Sequence, residues 1–373
     1  MKIAIIGAGN IGTAMAAKIS EDKKNDVCIY STRAQKWLDI ITYIDIRTGE
    51  KKKSNKIKVT DKLDKCVSGA NIVFVTYPSF LRKDCIDDIA EYCVKGCLVV
   101  FVPGGGGIEY FCEGLREKQC IVAGTDRVPC VSRLIQYGES VQIDWKKSVR
   151  GSCLFGATTE YVVDLLSKVL QLKCFPLKNY LVITLTPANQ IMHPVRLYSL
   201  FKYANAETEF EQQIPFYREW DDDTSHILLA CDNELQNLCK NLKKLELEEV
   251  VPLGVHYESM TPSEMTKKLR SIPSFSNIKT PLKKHDDGKY RIDFESRYFQ
   301  EDFPYGLCII KSIAELCHME TPWIDRILCW DENIENKEYF VDGKWCGKDL
   351  KSTNIPQVNG IQTLDEFYEV YGQ

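Results

Sequence analysis

The chain has 373 residues, 44% of them hydrophobic and 27% charged, which is typical of a globular protein. At about 100–200 residues per domain, this length predicts two domains. The formal net charge of −4 offers no basic surface for nucleic acid or an anionic membrane, so we expect neither as a partner. No apolar run approaches the about 20 residues that a membrane helix needs, and we predict a cytoplasmic location.

The 16 cysteines are scattered singly along the sequence, often inside apolar runs. No CxxC pair occurs, and Cys93 with Cys97 is the tightest spacing. A zinc site or a disulfide framework would require closer grouping. We therefore expect buried, reduced thiols that act as small hydrophobic side chains, and no metal site.

The first stretch combines a short apolar run, Lys2–Ile6, with a glycine-rich turn and a helix-forming segment. This order of strand, GxGxxG turn and helix is the dinucleotide-binding fingerprint. The first glycine allows the tight turn, the second lets the backbone approach a pyrophosphate, and the third lets helix and strand pack closely. The helix N-terminus offers free N–H groups to the phosphates. The predicted cofactor-binding residues here are Gly7, Gly9, Asn10, Ile11 and Gly12.

The second predicted strand, Asp26–Tyr30, ends at Ser31, Thr32 and Arg33. NAD-preferring enzymes place an acidic residue here to bind the ribose 2′-hydroxyl, and this chain has none. Two hydroxyls and a guanidinium suit a 2′-phosphate, so we predict NADPH as the cofactor, with NADH as the alternative. In the other interpretation of Arg33, it only starts a solvent-exposed helix.

Strands and helices alternate through the rest of the first half, which predicts a parallel, doubly wound sheet with ligands at the carboxyl ends of its strands. Pro78 follows one such strand and joins the predicted cofactor site. Gly104–Gly107 follow the next, as a loop against nicotinamide and substrate or as a flexible turn. The predicted strands are 57–60, 70–77, 97–102, 119–124, 140–145, 151–155 and 174–177, and the predicted helices are 61–68, 84–93 and 158–170.

The alternating pattern ends near residue 180, and long helical stretches follow, at 223–244, 304–317 and 321–330. The fold class is therefore α/β, with an N-terminal Rossmann-type domain over 1–182 and a mostly α-helical domain over 183–373. Thr321 is a predicted helix N-cap. The apolar face of Trp323, Ile327 and Trp330 packs internally or forms a homodimer interface.

Of the five histidines, His193 stands out because it lies at the presumed domain junction, four residues after Asn189. On a helix these two residues share a face. Histidine exchanges a proton near neutral pH, which suits hydride transfer to a C=O or C=N group. A buried structural histidine is the alternative.

The segment Glu295–Leu307 carries a second group of candidate residues. Arg297 could bind a substrate carboxylate through two hydrogen bonds, and Asp302 could orient and stabilise a protonated histidine. Alternatively, Arg297 and Glu301 form a surface ion pair, and Asp302 caps the helix around Pro304.

Together, the GAGNIG turn, Asn-x-x-x-His-Pro at 189–194 and Arg-Tyr-x-x-Glu-Asp-x-Pro-Tyr-Gly at 297–306 resemble the octopine/nopaline (opine) dehydrogenase family. The spacing of Pro129 and Arg133 is also similar to that family's first domain. The resemblance implies a Rossmann domain, a helical substrate domain and a cleft between them. It further implies that His193 is the acid–base residue paired with Asp302. Arg297, Asn189 and Arg133 would then bind substrate.

The implied activity is the NAD(P)H-dependent reductive condensation of an α-keto acid with the amino group of an amino acid. Residues 205–290 match nothing in these motifs, so the amine is left undefined. A larger amine would make the product an opine metallophore. A simple 2-keto or 2-hydroxy acid dehydrogenase and a catalytically inactive cofactor-binding sensor are the remaining alternatives.

Overall fold

The computed structural model describes residues 1–341 and 344–372, so positions 342, 343 and 373 of the predicted second domain lie outside the described residues. The chain divides into two compact units, Met1–Thr184 and the residues from Leu185 onward. This division falls two residues after the predicted boundary at 182.

The first unit contains two sheets and the helices that cover them. Its strands are β1 (Lys2–Ile6), β2 (Asp26–Tyr30), β3 (Thr42–Asp45), β4 (Lys51–Lys53), β5 (Lys58–Thr60), β6 (Ile72–Val75), β7 (Leu98–Phe101), β8 (Ile121–Thr125), β9 (Cys130–Gln136), β10 (Ser140–Trp145), β11 (Ser148–Phe155) and β12 (Lys173–Pro176). Its helices are α1 (Asn10–Ile19), α2 (Leu63–Val67), α3 (Arg82–Tyr92), α4 (Glu113–Glu117) and α5 (Thr159–Leu170).

The large sheet has the strand order β12-β11-β8-β7-β6-β1-β2-β5 within the described residues. All neighbouring strands in it are parallel except β8 and β11. The central strand β1 pairs with β2 on one side and β6 on the other, so the chain order reverses there. Ligands of doubly wound sheets bind at this switch point, beside the carboxyl ends of the strands.

Alternation along β1 builds a core on each face of the sheet. Ile3 and Ile5 belong to one buried cluster, whereas Ala4 and Ile6 belong to the other. Successive side chains of a strand point to opposite faces, and a sheet covered on both sides therefore requires an apolar run without polar positions. The predicted doubly wound α/β fold is confirmed.

A smaller sheet, with the order β4-β3-β10-β9, packs beside α1. Neither β9 nor β3 was expected from the sequence, and the lysine-rich stretch after residue 47 contains the exposed strand β4, which pairs with β3. The helix considered after Arg33 is only a 3₁₀ turn, Ala34–Lys36.

The second unit is mostly helical, as predicted. Helix α6 (Leu181–Leu185) leads into it, and the elements that follow are α7 (Asn189–Phe201), α8 (Asp222–Asn241), α9 (Leu253–His256), α10 (Pro262–Ser271), β13 (Leu282–Lys284), β14 (Tyr290–Ile292), α11 (Arg297–Gln300), a π-helical turn (Phe303–Leu307), α12 (Cys308–Leu316), α13 (Pro322–Glu335), β15 (Phe340–Val341), β16 (Lys344–Trp345) and α14 (Leu364–Val370).

Thr321 occupies the N-cap position of α13, as predicted, but the threonine hydroxyl makes no capping hydrogen bond. The carboxylate of Glu234, on α8, instead accepts hydrogen bonds from the N–H groups of Trp323 (2.8 Å) and Ile324 (3.1 Å). A carboxylate at this position satisfies free N–H groups and complements the helix dipole.

Candidate active site

His193 lies on α7, one turn after Asn189, and its imidazole is bonded at both nitrogens. Nδ1 lies 2.7 Å from Asp302 Oδ2, and Nε2 lies 3.2 Å from the hydroxyl oxygen of Tyr217. An ionised carboxylate only accepts, so Nδ1 carries the hydrogen of the Asp302 bond. In the neutral ring Nε2 then carries no hydrogen, so it can accept a hydrogen bond from the Tyr217 hydroxyl.

Asp302 reaches His193 because the π-helical turn that follows it packs tightly against α7. Gly306 lies in that turn, and a Cβ atom there would come within 2.4 Å of Gln190 Cβ on α7. Only glycine allows this approach without displacing one of the two elements. The alternative for Asp302, a helix cap, is not seen, because its side chain makes no capping hydrogen bond.

Burial raises the pKa of the Asp302 carboxyl above its ordinary value, and the His193 imidazole partly offsets that rise. The carboxylate side chain is 15% exposed and the imidazole 12%, so the pair is largely shielded from solvent. A protonated imidazole is stabilised by a carboxylate more strongly in such a setting than in open water.

Aromatic rings surround the imidazole. The ring of Phe216 lies edge-on to it, 5.5 Å between centroids, and that of Tyr298 lies 4.5 Å away. Tyr217 is itself fixed by stacking on Phe275, with ring centroids 4.2 Å apart. Burial raises the pKa of Tyr217 well above its ordinary value, so its hydroxyl keeps its proton at neutral pH.

Sequence reasoning missed Tyr217, Phe216 and Phe275, which all lie in the segment 205–290 that matched no motif. The aromatic density of Phe216-Tyr217-Arg218-Glu219-Trp220 was the available signal. It did not indicate which helix those rings would cover.

Arg297 does not take part in the two hydrogen bonds of the His193 imidazole, whose partners are Asp302 and Tyr217. Its side chain is 72% exposed and forms an ion pair with Glu301, with Nε 2.7 Å from Oε2. This is the surface pair considered as the alternative, and the substrate role of Arg297 stays a prediction. Asn189 is exposed at the first turn of α7.

The glycine turn of the first unit has the three features that the fingerprint requires. Gly7 has φ +109°, a Cβ on Gly12 would meet Gly7 O at 1.8 Å, and a Cβ on Gly9 would meet nothing within 4 Å. Gly9 and Asn10 are exposed, Ile11 is half-buried, and no side chain caps the start of α1. Open space beside uncapped helical N–H groups fits a pyrophosphate.

The end of β2 places Ser31, Thr32 and Arg33 at the carboxyl edge of the sheet. The Ser31 hydroxyl is buried and lies 2.6 Å from the Tyr137 hydroxyl, whereas Thr32 and Arg33 are exposed. The Arg33 guanidinium lies over the Tyr137 ring, 3.9 Å from its centroid.

Two further loops at this edge are joined by Arg82, a buried residue of α3. Its Nε donates to Tyr77 O (2.8 Å), next to half-buried Pro78, and its Nη1 donates to Gly105 O (2.6 Å) in the glycine run. Arg133, predicted to bind substrate, is exposed on β9. The next residue, Leu134, donates its N–H to Asn10 Oδ1 at 2.8 Å.

Within residues 1–341 and 344–372, no group of three or more His, Cys, Asp or Glu side chains is arranged to hold a metal ion. In the same part of the chain, no helix is long and apolar enough to cross a membrane. All 16 cysteines are free thiols.

Two family models match the chain. Residues 2–109 match the N-terminal domain of NAD-dependent glycerol-3-phosphate dehydrogenase. Residues 176–335 match the alpha-helical domain of NAD/NADP octopine/nopaline dehydrogenase. The first half thus matches a nicotinamide-binding domain, and the second half matches the domain that accompanies it in opine dehydrogenases.

Curated relatives align over almost the whole chain. Tauropine dehydrogenase of Arabella iricolor is 27% identical, over 97% of this chain and 98% of its own length. Octopine dehydrogenase of Pecten maximus is 25% identical, over 98% of both chains. A structure of octopine dehydrogenase with NADH and L-arginine has a TM-score of 0.87 at 23% identity, covering 98% of this chain and 97% of that one.

These findings define an NAD(P)-dependent oxidoreductase with a nicotinamide-binding domain and a helical domain. The predicted resemblance to the octopine/nopaline dehydrogenase family is confirmed, and the similar proteins indicate an NAD(P)-dependent oxidoreductase.

Proposed function

We propose that this protein joins an α-keto acid to the amino group of an amino acid, through an imine that is reduced with NAD(P)H. The observation that carries the proposal is the hydrogen-bonded pair of His193 and Asp302, 2.7 Å apart, in a chain that also holds a dinucleotide-binding turn. The names of the tauropine and octopine dehydrogenase relatives support the same reaction class.

His193 carries the proton exchanges of the condensation. The amine must lose a proton before its nitrogen attacks the keto carbon, and the hydroxyl of the adduct must gain one before it leaves as water. Nε2 of the imidazole can accept the first proton and donate the second, while Asp302 stabilises the charged ring in between. The reduced nicotinamide, when bound, supplies the hydride that reduces the C=N bond, and one further proton is consumed overall.

Arg297, Asn189 and Arg133 are the proposed substrate-binding residues. A guanidinium binds a carboxylate through two parallel hydrogen bonds, and both substrates carry a carboxylate. Arg297 is exposed enough to be reached, but a substrate must compete with Glu301 for its N–H groups.

NADPH is the proposed cofactor, in preference to NADH. The end of β2 presents Arg33 and Thr32 to solvent and contains no carboxylate that could bind the ribose diol. The Michaelis constants for NADPH and NADH test this preference, and a lower constant for NADH would contradict it.

We also propose a cytoplasmic enzyme that forms a homodimer. The apolar face of α13 does not carry the dimer proposal, because Ile327 is buried and Trp330 packs on Tyr198, with ring centroids 5.7 Å apart. Light scattering of the purified chain tests the homodimer, and a monomer mass would contradict it.

The decisive assay is NADPH oxidation with pyruvate and other keto acids, each with and without a panel of amino acids. Oxidation that requires both substrates supports the proposal and identifies the amine. Oxidation with a keto acid alone would contradict it and indicate a simple carbonyl reductase. If NADPH binds but no pair reacts, a larger metal-chelating amine is tested next, and failure there would indicate a cofactor-binding sensor.

A further inference from the structure

The hairpin of β9 and β10 packs against both parts of the predicted cofactor site in the first unit. On one side, Leu134 of β9 donates its N–H to Asn10 Oδ1, at the glycine turn. On the other side, the carbonyls of Gly138 and Glu139 accept hydrogen bonds from Leu38 (3.0 Å) and Thr42 (2.8 Å). The hairpin turn is thereby fixed to residues 38–42, in the segment that follows β2.

Tyr137 stands at this turn and is held on three sides. Its hydroxyl is 2.6 Å from Ser31 Oγ, its ring lies edge-on to Trp37 at 6.0 Å, and the guanidinium of Arg33 lies on its face. Ser31 Oγ also accepts a hydrogen bond from the Arg33 backbone N–H at 3.0 Å. Tyr137 therefore holds Arg33 directly by stacking and indirectly through Ser31.

Stacking has a consequence for what Arg33 can bind. The guanidinium carbon of Arg33 lies 3.9 Å from the Tyr137 ring centroid, so a cation–π contact holds this planar group of N–H donors in place. A free arginine side chain loses rotamer freedom when it binds a ligand, and this loss lowers the affinity. A side chain that is already held in place loses less. A phosphate matches this planar set of donors, whereas a ribose diol requires an acceptor such as a carboxylate.

We infer that Tyr137 is a specificity-determining residue for NADP(H), which holds the Arg33 guanidinium ready for the 2′-phosphate of the cofactor. This inference rests on the proposed cofactor preference and adds a residue 106 positions away from Ser31, on a hairpin outside the fingerprint. Tyr137 acts through Arg33 and is therefore a positioning residue.

The test is direct binding of NADPH, NADH and 2′,5′-ADP to the full chain, measured by calorimetry for the wild type, Tyr137→Leu, Arg33→Met and the double variant. We expect Tyr137→Leu to weaken the binding of NADPH and of 2′,5′-ADP about tenfold, which is the effect expected for the loss of one cation–π contact. NADH binding should change less than about twofold, because NADH lacks the 2′-phosphate. Tyr137→Leu should add nothing further in the Arg33→Met background.

Tyr137→Phe keeps the ring and removes only the bond to Ser31, so it provides a second variant if Tyr137→Leu does not fold. We expect a loss of about threefold for NADPH alone, which is the order of one hydrogen bond. Tyr161→Leu is the matched control, since Tyr161 is an exposed tyrosine of α5 that lies with Met1 and Gly96. It should leave all three affinities unchanged.

Equal losses for NADPH and NADH would overturn the inference, because they would show that Tyr137 only supports the hairpin. The inference would also be overturned if Tyr137→Leu left NADPH binding unchanged. The same holds if Tyr137→Leu lowered NADPH affinity as much in the Arg33→Met background as in the wild type. A wild type that prefers NADH would overturn the cofactor preference together with this inference. Amine-dependent turnover would still measure the proposed reaction separately.

Discussion

His193 is the residue on which the proposed chemistry depends, and its two ring nitrogens have different partners. Asp302 holds Nδ1, and Tyr217 faces Nε2. A carboxylate stabilises the protonated ring, whereas a hydroxyl that donates to Nε2 stabilises the neutral ring. The imidazole therefore has a partner for each of the two states that an acid–base residue must visit.

Removal of the imidazole should abolish most turnover without loss of the cofactor. We expect His193→Ala to lower kcat by about 100-fold or more, the usual contribution of a general acid–base residue. Asp302→Asn should lower it by at least about tenfold, because the charged ring loses its counter-ion. NADPH affinity should be unchanged in both. Steady-state kinetics and calorimetry measure these effects. His285→Ala, at an exposed histidine, is the control, and near-normal turnover in both variants would contradict the assigned roles.

The hydroxyl of Tyr217 should matter, whereas that of Tyr298 should not. The Tyr298 ring packs on the His193 imidazole, whereas the Tyr217 hydroxyl is hydrogen-bonded to Nε2. Tyr217→Phe should lower kcat about fivefold, since one hydrogen bond contributes about 1 kcal/mol. Tyr298→Phe should stay within about twofold of the wild type. Equal effects of the two substitutions, with unchanged melting temperatures, would show that the rings act only by packing.

At the scale of elements, the site depends on the contact between α7 and the π-helical turn. Pro194 removes one N–H from α7, and the turn after Asp302 widens to a π-helical form, a geometry found often at functional sites. Gly306 is the point of closest approach. The pair of His193 and Asp302 exists because these two elements can come this near.

Gly306→Ala should therefore damage both stability and turnover. The new methyl group would lie 2.4 Å from Gln190 Cβ, so the turn must move away from α7 and carry Asp302 with it. We expect a loss of about 1–3 kcal/mol in the free energy of unfolding, as for other overpacked sites. Turnover should fall more than in Tyr217→Phe. Denaturant unfolding and kinetics measure both. Adding Gln190→Gly should restore part of the activity, and full activity of Gly306→Ala alone would contradict the packing argument.

At the scale of the molecule, the second unit contains buried carboxyls whose pKa values are raised by burial, among them Asp232, Glu234 and Asp302. Burial raises the pKa of Asp232 to about 6. An unfolded aspartate has a pKa of about 3.9, so between about pH 4 and 6 the folded chain binds more protons than the unfolded one. Stability from this group is then lost as the pH rises through that range.

Asp232→Asn should flatten this part of the pH profile of stability. The neutral amide cannot titrate, and its oxygen can still accept the hydrogen bond from the Leu253 N–H, which is 2.7 Å from Asp232 Oδ2. The wild type should lose up to about 3 kcal/mol between pH 4 and 6 from this residue, and the variant should not. Urea unfolding at several pH values measures the difference. Parallel profiles would show that Asp232 is not the group responsible.

Patterns within a few residues determined much of the fold. The run Lys2–Ile6 predicted the first strand, because a strand that is buried on both faces must be apolar. The glycines after it predicted the turn and the start of α1, because a positive φ favours glycine. The strands and helices of the first unit were largely predicted for the same reason. The pairing of His193 with Asp302, 109 residues apart, was predicted only because two motifs resembled one family.

Only the tertiary structure decided which residues become partners when they lie far apart in the sequence and belong to no motif. Tyr217 faces His193, Tyr137 stacks on Arg33, and Glu234 caps α13 in place of Thr321. Hydrophobic periodicity reports whether a side chain is inside or outside, not which surface it meets. Those meetings are fixed by how whole elements pack, so they appear only once the elements are assembled.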